Sequence, residues 1–269
     1  MAKQPDFPDP FIFIPKTGKP ELLFVLLHGE SADPRQLFPL AEAIKQAFPR
    51  AMVVLPYAFE NIQAGSQASA AGWNGIAGYH WINPVDLSES NYAERVAQAL
   101  PALIGQVRQI QAAYGLTGQQ TALAGFSQGA SMALEASHAR PDLAGRVLAF
   151  SGLYAALPSS APPTTMLHFF HGANDQQVSV DDVESTLVRL GELQGDATLD
   201  VASRIGHELH DALIKQAIVR LQTCVPLRNW EDALGSLQEQ GEAPAAAPPP
   251  GQDLALGHVN RDPRRACSR

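Results

Sequence analysis

The chain has 269 residues, 45% of them hydrophobic and 17% charged, which suits a water-soluble globular protein with one large core. Its 19 Lys and Arg against 27 Asp and Glu leave a formal charge of -8, so no basic field exists to gather phosphate backbones, and nucleic acid is not an expected partner. Two cysteines, Cys224 and Cys267, are too few and too close to the C-terminus to staple a fold, and neither sits in a Cys-x-x-Cys pair; they read as reduced thiols in a cytoplasmic protein.

The opening segment, MAKQPDFPDPFIFIPKTGKP, is broken by prolines and has no apolar run of secretory length, so no signal peptide is expected. The densest apolar stretch, Leu22 to Leu27, falls far short of the ~20 residues that span a bilayer, and no membrane insertion is expected. From Glu21 onward, short apolar runs alternate with longer amphipathic ones, the pattern of parallel strands joined by crossover helices. Leu22 to Gly29 (LLFVLLHG) reads as a buried strand, and Gln36 to Phe48 as a helix, with Leu37, Leu40, Ile44 and Phe48 at helical spacing. Ala51 to Pro56 is the next strand, and Ser90 to Tyr114 a long helix striped by Val96, Leu100, Leu103, Val107 and Ile110, with Pro101 inside it. Between them, Ala58 to Ser88 reads as a long loop rich in Gly, Ala and Ser that carries Trp73, Tyr79, His80 and Trp81, a candidate substrate-facing rim.

Thr121 to Phe126, Arg146 to Gly152 and Thr165 to Gly172 are the following strands, with a helix over Ser127 to His138 and a Pro-rich loop around Pro158 to Pro163. A helix over Val180 to Leu193, a strand over Ala197 to Ser203 and a helix over Glu208 to Thr223 complete an α/β domain. That domain is placed at residues 1–236, with its core at 21–224; Trp230 and Leu234 could add a last short helix. Residues 237–269, which include APAAAPPPG, lose all apolar periodicity and read as a disordered tail.

Gly125-Phe126-Ser127-Gln128-Gly129 fits Gly-x-Ser-x-Gly, a turn that lifts a serine at a strand-to-helix junction. With 21 Gly in the chain the motif arises by chance about one time in ten, so its context decides. A strand precedes it and an Ala- and Met-rich helix follows it; the alternative is a Gly-rich structural turn. A serine hydroxyl needs a base to take its proton and a carboxylate to orient that base, and in this fold class the chain order is Ser, acid, His.

His207 follows a strand at the end of the sheet where open α/β folds place their sites, and His210 is its runner-up. His138 falls on the helix after the serine, His168 inside a strand and His258 in the tail. Asp175 follows the strand ending at Gly172, whereas Asp181 and Asp182 read as first-turn helix carboxylates and Asp200 lies within a strand. A loop-capping role is the plain alternative for Asp175. His207-Glu208-Leu209-His210 places its histidines three apart, not the four that His-Glu-x-x-His needs, so no metal site is expected. The backbone amides of Gln128, at a helix N-terminus, and Glu30, on the loop after the first strand, are the candidate oxyanion donors.

With LLHGESADP, GFSQGA, FSGLY, HGANDQQV and IGH in this order, the chain resembles the small serine carboxylesterases of the phospholipase/carboxylesterase family, which includes acyl-protein thioesterases. The likeness spans about residues 21–224 and is nearest the bacterial esterase branch. It implies an α/β-hydrolase fold, a mostly parallel sheet flanked by helices without a large cap domain, and no cofactor. It also implies Ser127 as nucleophile, Asp175 as acid, His207 as base, and the amides of Glu30 and Gln128 as the oxyanion hole. Trp81, Leu153 and Tyr154 would line the acyl pocket, or else serve as ordinary core residues.

The chain departs from the family pattern after its His-Gly, where an apolar residue and then Gly-Asp are common and this chain has Glu30-Ser31-Ala32; the Glu30 carboxylate would oppose an oxyanion if it turned inward. The expected reaction is hydrolysis of a small-molecule acyl ester or thioester through an acyl-enzyme. Lysophospholipase or acyl-protein thioesterase chemistry at the same site is an alternative, and a hydrolase fold kept only for binding is a rival of another class. Oligomeric state depends on surface patches that these patterns do not encode.

Overall fold

The computed structural model describes residues 8–62 and 78–223. All of them belong to one compact unit, Met1–Leu227. The expected tail, the suggested helix around Trp230 and Leu234, both cysteines, His258 and Trp73 lie outside the described residues.

Seven strands form the central sheet: β1 (Phe11–Phe13), β2 (Leu22–Leu27), β3 (Ala51–Leu55), β6 (Thr121–Phe126), β7 (Arg146–Phe150), β8 (Met166–Gly172) and β9 (Ala197–Ala202). Their order across the sheet is β1-β3-β2-β6-β7-β8-β9. Every pairing is parallel except that of β1, which runs antiparallel to β3 on the edge. A separate antiparallel pair joins β4 (Glu60–Ile62) and β5 (Gly78–His80), so the stretch expected to be loop from Ala58 to Ser88 contains strand at both ends of its undescribed middle. These strands and β1 are short and lack the apolar run that marks the inner strands, and they form through partners distant in sequence.

Strand alternation divides the core into two layers. Leu23, Val25 and Leu27 of β2 face one layer, filled by α2 (Glu89–Tyr114), α3 (Gln128–Ala139) and α4 (Val180–Glu192). Phe24 and Leu26 face the other, filled by α1 (Phe38–Ala47) and α5 (Asp211–Thr223). Both faces of the inner strands are therefore dry, which is why β2 and β6 read as continuous apolar runs rather than alternating ones.

Helix α2 continues through Pro101, which leaves one backbone carbonyl without its helical partner. The first helix starts as a 3-10 turn over Pro34–Leu37, where Asp33 accepts the Arg35 amide. The last helix begins three residues later than the apolar spacing suggests, because the His210 ring accepts the Ala212 amide at 3.1 Å and serves as its cap. Strand β9 is tied to α5 through Asp200 by a two-pronged ion pair, Arg220 Nε to Asp200 Oδ2 at 2.7 Å and Nη2 to Oδ1 at 2.9 Å. No helix among the described residues is long and apolar enough to cross a membrane.

Candidate active site

Glu30, Ser127, Asp175 and His207 all follow the carboxyl ends of parallel strands, β2, β6, β8 and β9 in turn. Ser127 sits between β6 and α3 at φ 53 and ψ -118, a region that costs an L-residue about 1 to 3 kcal/mol. The surroundings hold it there: its amide donates to the Phe150 carbonyl at 2.9 Å, and its carbonyl accepts the amides of Ala130 and Ser131. Gly129 has no alternative, since a Cβ there would lie 2.1 Å from the Leu27 carbonyl oxygen. A Cβ on Gly125 would meet the Gly129 carbonyl at 2.2 Å, so strand and helix close to van der Waals contact only through the two motif glycines.

The structure brings the three candidate side chains into one hydrogen-bonded chain. His207 Nε2 lies 3.0 Å from Ser127 Oγ, and His207 Nδ1 lies 2.8 Å from Asp175 Oδ2. The other Asp175 oxygen accepts the amides of Gln177 at 2.9 Å and Val178 at 3.0 Å. Burial alone would raise this carboxyl, but the Val178 and Gln177 amides and the His207 ring outweigh it and hold Asp175 below the usual carboxylate range. An ionised acceptor at Oδ2 fixes the His207 proton on Nδ1 and leaves Nε2 to accept from the serine hydroxyl.

The loops carrying acid and base are stitched together by backbone: the Ala173 amide donates to Ala202 and the Asn174 amide to Ile205. The Phe126 ring lies 5.0 Å from that of His207, and supports its face. His171, buried on β8, reaches the Val178 carbonyl at 2.8 Å and approaches Asp175 Oδ2 to 3.5 Å. It pins the turn that feeds two amides to Asp175. Sequence reasoning gave His171 no role; its only signal is its place four residues before Asp175 on the same strand end.

Gln128 is the first residue of α3, where helical geometry leaves the amide without an intrahelical acceptor and the dipole favours negative charge. Its side chain has a second task, accepting the Trp81 backbone amide at 2.7 Å. Glu30 follows Gly29, whose amide donates to Gln36 Oε1 at 2.7 Å. The Glu30 side chain is 42% exposed, and its Oε1 lies 3.4 Å from Nδ1 of buried His80.

Trp81 is buried, with its indole nitrogen donating to the His28 carbonyl at 2.7 Å and its ring against those of His28 and Phe59. His28 donates from Nδ1 to the Gly29 carbonyl and accepts the Ala58 amide at Nε2, a neutral tautomer; burial lowers its pKa to about 4. Leu153 is half-buried on the loop after β7. Tyr154, next to it, borders a cavity of about 200 Å³ with Val96, Leu100, Glu135, His138 and Leu157. His210 stands outside the hydrogen-bonded chain, as the cap of α5. His168 is buried beside Thr198, and no cluster of metal-ligating side chains occurs among the described residues.

A serine hydroxyl facing an imidazole that is oriented by a buried carboxylate, beside a helix N-terminus, can carry out acyl transfer. Comparison with known proteins gives the same direction. The profile of the family described as Phospholipase/Carboxylesterase matches residues 9–225. Esterase YpfH of Escherichia coli (strain K12) is 32% identical over 212 residues, covering 79% of this chain and 87% of that protein. The crystal structure of esterase PE8 superposes with a TM-score of 0.68 at 28% identity, over 80% of this chain and 97% of the other. The fold is shared with acyl-protein thioesterase 2 of Zea mays, at a TM-score of 0.64 and 16% identity, over 80% of this chain and 98% of that one. With its central sheet, its flanking helices and these likenesses, the chain belongs to the phospholipase/carboxylesterase family of α/β hydrolases and is a hydrolase of the esterase type.

Proposed function

We propose that the chain is a serine carboxylesterase in which Ser127 is the nucleophile, His207 the general base and acid, and Asp175 the carboxylate that orients and stabilises the imidazolium. The continuous contact from Asp175 through His207 to Ser127, at 2.8 and 3.0 Å, is the single observation that carries this reading. Ser127 Oγ adds to the ester or thioester carbonyl while its proton passes to His207 Nε2. The amides of Glu30 and Gln128 donate hydrogen bonds to the developing oxyanion, a contribution of a few kcal/mol per donor in enzymes of this kind. Collapse of the tetrahedral adduct expels the alcohol or thiol with the proton held by His207. Water then repeats the addition on the acyl-enzyme, again through His207, and releases the acid and free Ser127.

No metal or cofactor takes part in these steps. The acyl chain is assigned to the side of the site bordered by Leu153 and Tyr154, with Trp81 buried beneath the Glu30 loop. The substrate is a small acyl ester or thioester, and the setting is cytoplasmic, in line with the cysteine usage of the chain.

Hydrolysis of p-nitrophenyl esters from acetate to palmitate, with Ser127→Ala beside the natural protein, tests the reading. Turnover that vanishes in the variant is the expected result, with the preferred chain length sizing the pocket. Turnover retained in a folded Ser127→Ala protein would contradict it. Activity confined to acyl-thioesters would select the thioesterase form of the same mechanism.

A further inference from the structure

The side chain at position 30 poses an electrostatic problem. If the Glu30 amide stabilises an oxyanion, the carboxylate on the same residue carries the wrong charge for the task. The structure shows what receives that carboxylate. Strand β5 lies along the Glu30 loop: the Tyr79 amide donates to the Ala32 carbonyl at 3.1 Å, and Ala32 and Tyr79 form an isolated antiparallel bridge. Gly78 permits the approach, because a Cβ there would lie 2.3 Å from the Ser31 carbonyl oxygen.

One residue along the strand, the wholly buried His80 ring is addressed by the same loop from both sides. Its Nδ1 lies 3.4 Å from Glu30 Oε1 and its Nε2 lies 3.4 Å from Ser31 Oγ. Ser31 itself sits at φ 56, a left-handed conformation that a serine holds only when its neighbours fix it. Ser31 Oγ is the hydrogen-bond partner of Nε2, and the Nδ1 edge of the ring faces the carboxylate at 3.4 Å, a contact rather than a hydrogen bond.

We infer that His80 is a positioning residue for the oxyanion loop, holding the Glu30 carboxylate away from the reaction centre, with Ser31 orienting the His80 ring toward that carboxylate. The inference rests on the proposed role of that amide. It explains how an acidic residue is accommodated beside an anionic transition state, with the carboxylate turned toward β5 and only the backbone turned inward. His80 touches no reacting atom in this account; it acts through residue 30.

A double-mutant cycle tests the inference directly. His80→Gln keeps a polar side chain of similar size but removes the ring edge that faces Glu30, and Glu30→Leu removes the charge from a partly exposed position. The expected result is a fall in kcat of about tenfold for His80→Gln with KM little changed, and a fall of less than about twofold when the same change is made in the Glu30→Leu background. Equal losses in both backgrounds would mean that His80 serves only packing, and would overturn the inference. Ser31→Ala provides a second arm that keeps the buried ring and removes only its orienting partner: it should give a smaller loss of kcat that also disappears in Glu30→Leu. If His80→Gln does not fold, that arm decides, and a Ser31→Ala loss that is independent of residue 30 overturns the inference. Fluorophosphonate labelling of the natural protein separates the two layers of argument. Labelling at Ser127 with equal losses in the cycle removes the role of His80 alone, whereas a folded natural protein that does not label overturns both.

Discussion

Two strand ends that lie side by side in the sheet, the turn after β6 and the loop after β2, are held in place by different means. The turn at Ser127 is locked by its own neighbours in sequence: Gly125, Gly129 and the first turn of α3 are all within a few residues. The Glu30 loop is instead held by residues about fifty positions away, with Tyr79 bound through its backbone, His80 through its ring and Trp81 through its indole nitrogen. A local lock tolerates no side chain where glycine stands, and here it closes against the Leu27 and Phe150 carbonyls of the neighbouring strands. A distant lock can be retuned by a partner substitution, and the two regions should accordingly fail in different ways.

The largest expected effect breaks the hydrogen-bonded chain beside the local lock. Asp175→Asn keeps the shape but can present an amide to His207 and stabilise the wrong tautomer, so kcat should fall by about 10⁴-fold with the fold intact. Steady-state kinetics with circular dichroism checks this, and a loss under about tenfold would show that Asp175 only caps its turn. Gly129→Ala attacks the lock itself, since its methyl would have to enter space held by the Leu27 carbonyl at 2.1 Å. Backbone cannot yield as a flexible side chain can, so a destabilisation of about 4 kcal/mol or more, or failure to fold, is expected in urea titration. A stable Gly129→Ala protein would mean that the turn has slack.

Acid pH acts on two buried histidines, one of them under the Glu30 loop. His28 under the Glu30 loop and His168 in β8 are both lowered from 6.5 to about 4, first by burial. Between those values the unfolded chain binds more protons than the folded one, so stability is complete above about pH 6.5 and is lost as pH falls toward 4. Each histidine accounts for up to about 3 kcal/mol across that window. Urea midpoints at pH 7 and pH 5 should differ accordingly, and His168→Phe should flatten the slope; a pH-independent midpoint would contradict the buried neutral state of both rings.

The smallest effect sharpens the comparison. Trp81→Phe strips the indole donor from the His28 carbonyl, at a cost of about 1 to 3 kcal/mol for a buried acceptor left unpaired. It should lower kcat as well, because the same carbonyl leads into Gly29 and Glu30. Unchanged kinetics in a destabilised Trp81→Phe protein would show that the distant lock can loosen without moving the Glu30 amide.

This contrast also marks where the fold and the site were legible in sequence. The inner strands are dry on both faces, so β2, β3, β6, β7 and β8 announced themselves as short apolar runs, and α2 through the regular return of Val96, Leu100, Leu103 and Val107. Ser127 carried a local motif, and Asp175 and His207 stood after strand ends. Strands β1, β4 and β5 were missed because nothing in three residues encodes a pairing with a remote partner. Trp81 looked like part of a loop rim and is wholly enclosed, since its polar nitrogen finds the His28 carbonyl. The partnerships of His80 with Glu30 and of His171 with Val178 are likewise tertiary, and only the oddness of a carboxylate at position 30 hinted at the first.

The most direct test of the central claim is mass-spectrometric mapping of a fluorophosphonate adduct on the natural protein. The account predicts one modified peptide, the one containing Gly125-Phe126-Ser127-Gln128-Gly129, with labelling abolished in Ser127→Ala. A folded protein that stays unmodified beside a labelled control esterase, or that carries the adduct on a different serine, would contradict it.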